Sequence, residues 1–192
     1  MGLTPAIFLD RDGVINANRA DYVKSWAEFE FLPGALAAIR TLSALEWPII
    51  VVTNQSAVGR GIITRADVED IHQRMVAAIR RAGGRITEVR YCPHRPEDHC
   101  RCRKPRPGML LDAAQQWGLD LRRSVLVGDA MSDILAAHAV GATPILVLTG
   151  RGSEQLFRLR ENRIDHFQAL PDLTAAAAHI VETILHTQPG LS

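Results

Sequence analysis

Short apolar runs recur along the chain, each followed by polar residues: "AIFLD" (6–10), "PIIVVTN" (48–54), "EVRYCPH" (88–94), "SVLVGDA" (124–130) and "PILVLTG" (144–150). Apolar runs this short, without strict polar alternation, are the pattern of strands buried on both faces of a parallel sheet. Between them apolar positions return at helical spacing: Leu36, Ile39, Leu42 and Leu45 within 34–45, then Val68, Ile71, Met75, Val76 and Ile79 within 64–82. The second helix carries its own ends. Thr64 and Asp67 resemble a capping box with a shortened acid, and Gly83-Gly84 can adopt the left-handed conformation that stops a helix. Further helices are expected over 107–117, 131–140, 153–163 and 172–186. Strand and helix alternate throughout, which predicts a doubly wound α/β fold: a parallel sheet between helical layers, in one domain spanning 1–192.

In such sheets ligands bind beyond the carboxyl ends of the strands. That places Asp10, Thr53-Asn54, the segment after residue 92 and Asp129 at one end of the molecule. In "FLDRDGVIN", Asp10 and Asp12 stand two residues apart, and in extended chain they project to the same side. Gly13 then permits a sharp turn. Two acids this close repel unless a cation lies between them, and with Asp129, followed by Asp133 one helical turn later, they form a set suited to a hard ion such as magnesium.

Charge and cysteine usage narrow the partners. Lys plus Arg (22) against Asp plus Glu (21) give a net charge of +1, so no global field draws the chain to nucleic acid or an anionic membrane. No apolar run approaches a membrane span, and the first residues lack a basic stretch followed by a long apolar one, which leads us to expect a cytoplasmic protein. The three cysteines all fall in "CPHRPEDHCRCRKPRPG" (92–108): an odd number, too close together for a disulfide framework, and plausible as a metal cluster in a reducing compartment. A zinc knuckle gripping nucleic acid is the competing reading of that basic stretch, but no aromatic residues interleave with it. A phospho-receiver domain would also use Asp, Thr and Lys on a parallel sheet, in a different order.

Four segments in order resemble a known family. "DRDGV", "VVTNQS", "RKPRPGM" and "VGDAMSD" are similar to the four motifs of the haloacid dehalogenase superfamily of phosphotransferases, over residues 7 to 150. The resemblance implies that Asp10 attacks phosphorus to form an aspartyl-phosphate, and that Asp12 protonates the departing oxygen and then deprotonates water. It implies catalytic magnesium held by the carboxylates of Asp10 and Asp129 and the backbone carbonyl of Asp12. Thr53, Asn54, Arg103 and Lys104 would steady the phosphoryl oxygens.

Only about forty residues separate Asp12 from Thr53, which leaves no room for a large cap domain. The cysteine stretch resembles the zinc loop of two capless families, the heptose bisphosphate phosphatases and the histidinol-phosphate phosphatases. By that resemblance Cys92, His94, Cys100 and Cys102 bind structural zinc within the loop 92–102, with His99 a lesser fifth candidate. The gap of five residues before "CRC" leans toward the histidinol-phosphate group. "FEFLPGA", "VVTNQSAVGRG" and "RKPRPGMLLDAA" lean more strongly toward the heptose group. The expected substrate is therefore a sugar bisphosphate, bound by a monomer, with histidinol phosphate as the alternative. The implied substrate site comprises Asp10, Arg11, Asp12, Asn18, Arg19, Ala20, Asp21, Thr53, Asn54, Gln55, Ser56, Arg103 and Lys104. A second phosphate needs further cations, for which Arg60, Arg103 and Arg106 are candidates.

Overall fold

The structure is a computed structural model that describes residues 2–187. A six-stranded parallel sheet forms its centre, in the order β3-β2-β1-β4-β5-β6. The strands are β1 (Ile7–Leu9), β2 (Ile49–Asn54), β3 (Glu88–Cys92), β4 (Val125–Gly128), β5 (Thr143–Val147) and β6 (Gln168–Leu170). The principal helices are α1 (Ala35–Ser43), α2 (Ser56–Gly59), α3 (Arg65–Arg81), α4 (Gly108–Trp117), α5 (Met131–Val140), α6 (Gly152–Glu161) and α7 (Leu173–Thr187).

The period of two in each strand sorts side chains between two cores. Ile7 and Leu9 of β1, with Ile49 and Val51 of β2, face a layer made by α1, α3 and α7, where Ile39, Ile71, Met75 and Ile180 are buried. Phe8, Ile50 and Val52 face the opposite way, onto Leu110 and Ala113 of α4 and Ala136 and Ala137 of α5. The three-layer architecture expected from the alternation of elements is the one observed.

Chain order reverses beside β1, which pairs with β2 on one side and β4 on the other. The crevice between the loops leaving β1 and β4 is thus the topological switch point. Asp10 directly follows β1 and donates its backbone N–H to Val127 O at 2.9 Å, while Asp129 directly follows β4. Thr53 and Asn54 end β2, and Cys92 ends β3 in register with Asn54.

Ends match the chemistry of the residues that make them. Thr64 Oγ1 accepts from Asp67 N at 3.2 Å and Asp67 Oδ2 accepts from Thr64 N at 2.8 Å, a complete capping box for α3. β3 stops at Cys92, short of the run to 94, because Pro93 has no N–H to extend a ladder. α2 and β6 are not predicted by the apolar pattern. Between Asp12 and β2 lie a loop with one 3-10 turn, Trp26–Glu28, and α1. The loop is fixed by aromatic packing: Trp26 stacks on Phe29 at 5.0 Å, and Phe29 meets Phe31 edge-on at 5.0 Å. No large cap is inserted there. Among the described residues, no helix is long and apolar enough to cross a membrane.

Candidate active site

Three carboxylates meet at the switch point. Ligand oxygens of Asp10, Asp129 and Asp133 lie within 4.8 Å of one another, and all three residues are buried. One buried cation answers them: Lys104 Nζ is 3.0 Å from Asp10 Oδ1 and 2.5 Å from Asp133 Oδ1, and donates to Val52 O at 2.7 Å. Asp133 also accepts from Ala130 N at 3.0 Å, which caps α5. Asp129 accepts from the backbone of Arg151 through Oδ2 at 2.9 Å, while its buried Oδ1 has no hydrogen bond and faces only the half-exposed Arg151 guanidinium at 3.6 Å.

The imbalance is visible in proton affinity. Burial is the largest influence on Asp10 and raises it to about 7; Lys104 opposes the rise, and Asp133, Asp129 and Asp12 add to it. Burial, then the charge of Asp133, raises Asp129 to about 6 against the pull of Arg151. Burial alone would lower Lys104, yet Asp10 and Asp133 hold it above the usual lysine range. An unsatisfied carboxylate oxygen among three buried acids with one lysine fits a hard divalent cation such as magnesium. Gly13, at φ +84°, turns the chain where any Cβ would strike the Asp129 carboxylate.

The side chain of Asp12 lies outside that cluster. Its carboxylate accepts from Arg11 Nη2 at 2.8 and 2.9 Å, from Asn16 Nδ2 at 2.9 Å and from Gln55 Nε2 at 2.8 Å. Burial pushes Asp12 upward, but the Arg11 charge and these bonds outweigh it and hold the carboxyl below its usual range. The free site therefore keeps Asp12 ionised.

A cleft of about 430 Å³ opens above these groups. Asp10, Asp12, Thr53 and Lys104 are on its wall, with Asn18, Arg19 and Ala20 on the side of the loop after β1. Asn54, Ser56, Arg60 and Arg103 also line it. Other implied residues lie elsewhere. Arg11 is only 1% exposed and sits behind Asp12; Gln55 is buried and bridges Asp12 to Thr53 Oγ1 at 2.9 Å. Asp21 faces outward, paired with Arg19 at 3.1 Å and Lys24 at 2.5 Å. Arg106 is occupied with the carbonyls of His99 and Cys100. The motifs do not single out Ser132 and Arg151, which also line the cleft. Arg151 could have been found by its place, since its "TGR" follows β5 at the ligand-binding end of the sheet.

The cysteine loop is part of this site. Cys92 Sγ lies 3.2 Å from Cys102 Sγ and 3.5 Å from both Cys100 Sγ and His94 Nδ1, and His94 Nδ1 lies 3.3 Å from Cys102 Sγ. Tetrahedral zinc, with bonds of about 2.3 Å to sulfur and about 2.0 Å to nitrogen, needs edges of about 3.8 Å between sulfurs and about 3.5 Å from sulfur to nitrogen, so the four donors stand at or slightly inside a zinc-bound arrangement. His99 is not in the cluster. Two residues later the chain locks to β2: Asn54 Oδ1 accepts from Lys104 N and Asn54 Nδ2 donates to Lys104 O, each at 3.1 Å. Arg103 Nη1 donates to His94 O at 3.3 Å. Sulfur cluster, Asn54 clamp and buried ammonium form one continuous connection.

An acid after the first strand, a hydroxyl at the end of the second, a lysine from a later loop and an acid pair after the fourth define a haloacid-dehalogenase-like hydrolase. A HAD-hydrolase-like family model matches residues 101–176. The chain is 43% identical over 150 residues to D-glycero-beta-D-manno-heptose-1,7-bisphosphate 7-phosphatase of Pseudomonas putida, covering 78% of this chain and 86% of that protein. It is 44% identical over 145 residues to D-glycero-alpha-D-manno-heptose-1,7-bisphosphate 7-phosphatase of Mycobacterium bovis, covering 71% and 73%. The crystal structure of D,D-heptose 1,7-bisphosphate phosphatase from B. bronchiseptica, complexed with magnesium and phosphate, superposes with a TM-score of 0.88 at 38% identity, covering 93% of this chain and 99% of that one. The chain belongs to the family of heptose-1,7-bisphosphate 7-phosphatases within the HAD-like hydrolases.

Proposed function

We propose that the protein hydrolyses the 7-phosphate of D-glycero-D-manno-heptose 1,7-bisphosphate, working as a single-domain, cytoplasmic monomer with catalytic magnesium and structural zinc. The observation that carries this reading is the meeting of Asp10, Lys104 and Asp129 under an arginine-lined cleft, in a chain this similar to heptose bisphosphate phosphatases. A three-cysteine zinc set agrees with a reducing compartment.

Asp10 attacks phosphorus, forming an acyl phosphate as the bond from phosphorus to the sugar oxygen breaks. Protonated Asp12 gives its proton to that departing oxygen. In the free site Asp12 is ionised, and an approaching phosphate dianion raises its proton affinity. In the second half, water attacks phosphorus and returns a proton to Asp12, while the phosphorus–oxygen bond to Asp10 breaks and frees the nucleophile. Lys104, fixed against Asp10, and the Thr53 hydroxyl stabilise charge on the phosphoryl oxygens. Magnesium, held by Asp10, Asp129 and the Asp12 carbonyl, would neutralise phosphoryl charge when bound. Arg60 and Arg103, which line the cleft, suit the second phosphate, which lies away from the reacting centre.

Lys104 is directed into the site and buried, so the basic stretch offers less to a nucleic-acid backbone than its sequence suggests. The test is a substrate panel: both anomers of the heptose bisphosphate, histidinol phosphate and fructose 1,6-bisphosphate, compared by kcat/KM. A heptose anomer is expected to lead. Preference for histidinol phosphate would overturn the assignment.

A further inference from the structure

His72 is a buried polar group on α3 that no step above uses. Its Nε2 lies 3.0 Å from Nη1 of Arg11. A guanidinium has donors only, so Nε2 accepts and the ring proton sits on Nδ1. Arg11 turns its other nitrogens to Asp12, with Nε at 3.3 Å from Oδ1 and Nη2 at 2.8 and 2.9 Å from the two oxygens. The imidazole is held in turn by Tyr91, edge-on at 5.5 Å, whose hydroxyl donates to Glu69 at 3.1 Å.

We infer that His72 is a positioning residue for Asp12, acting through Arg11: by accepting from Nη1 it fixes the plane of the guanidinium fork that orients the carboxylate. Without an acceptor, Nη1 would be left unsatisfied beside a buried face, and the guanidinium would rotate to find one. The carboxylate it grips would then move relative to the departing oxygen. Misplacement of about 1 Å costs up to about a hundredfold in rate. The histidine suits this task because burial, and then the Arg11 charge, hold it down to about 3, so it remains a neutral acceptor across the neutral range. The inference rests on the role proposed above for Asp12.

The test separates leaving groups. An alkoxide needs a proton as its bond to phosphorus breaks, whereas p-nitrophenolate is a stabilised anion that leaves without one. kcat/KM reports events up to that cleavage and excludes the later water attack when cleavage is irreversible. His72→Leu is expected to lower kcat/KM for heptose bisphosphate by about tenfold or more, and at least about fivefold further than for p-nitrophenyl phosphate. His72→Gln, whose Oε1 can accept from Nη1, should recover most of the loss. If His72→Leu does not fold, His72→Asn, polar but too short to reach, replaces it. Equal losses on both esters, no loss on either, or a glutamine no better than leucine would overturn the inference. If the wild type does not turn over heptose bisphosphate, the substrate assignment fails separately, and the same ratio is read with fructose 1,6-bisphosphate as the alkyl ester.

Discussion

A histidine in unfolded chain takes a proton near pH 6.5, whereas His72 in the fold resists protonation down to about 3. Between those values the unfolded chain binds a proton that the folded chain refuses. The stability linked to His72 is therefore complete above pH 6.5 and is lost as pH falls toward 3. At pH 4.5 the loss reaches about 2–3 kcal/mol. Denaturant unfolding at pH 7 and 4.5 should show a smaller acid loss in His72→Gln than in the wild type, and equal losses would contradict the shift. Asp10→Asn should lower turnover on the order of 10⁴-fold or more while circular dichroism stays native, because the amide retains the shape and loses the nucleophile. These two residues differ in how far sequence discloses them. Asp10 stands two residues from Asp12, a spacing that marks a cation site, and the nucleophile role proposed for it comes from the resemblance of "DRDGV" to a family motif. His72 and Arg11 are 61 residues apart, and His72 lies among Val68, Ile71, Met75 and Ile79 on the buried face of a helix. Only the docking of α3 on the sheet makes them partners.

At the scale of elements, strands covered on both sides were legible as apolar runs, since burial of β1, β2 and β4 demands them. β6 was not, because a three-residue edge strand, "QAL", is only partly buried and carries no pattern. α2 is a single turn, too short to establish a period. The boundary of α3 was legible from its capping box, and Thr64→Ala should cost about 1 kcal/mol in unfolding free energy, measured by denaturant titration. The zinc loop was legible in composition, but its connection to the site depends on pairing: Asn54, opposite Cys92 in the sheet, clamps the Lys104 backbone. Cys102→Ser is therefore expected to lose zinc by metal analysis and to lower kcat by roughly 10- to 100-fold, with the sheet retained by circular dichroism. Full activity in a zinc-free variant would break the link from cluster to lysine.

For the whole molecule, net charge is nearly balanced at +1, yet three acids are concentrated at the switch point with one buried lysine. Folding without a divalent ion must bring those acids out of water together. Asp10 is raised to about 7 and Asp129 to about 6, from 3.8 in the unfolded chain. The folded metal-free protein thus binds protons more tightly than the unfolded one. Their contribution to stability is greatest below pH 3.8 and is lost as pH rises through 6 and 7. Magnesium competes with those protons for the same oxygens. Near pH 5.5 it must displace them, while at pH 8 the acids are already ionised and repelling, so the ion then relieves the most repulsion. The rise in Tm on adding magnesium to metal-free protein, at constant ionic strength, should accordingly be larger at pH 8 than at pH 5.5. Asp129→Asn should reduce that rise at pH 8, having removed one of the charges the ion neutralises. A magnesium effect that is larger at pH 5.5, or one that survives undiminished in Asp129→Asn, would place the ion outside this cluster and require a different account of how the cleft holds phosphate.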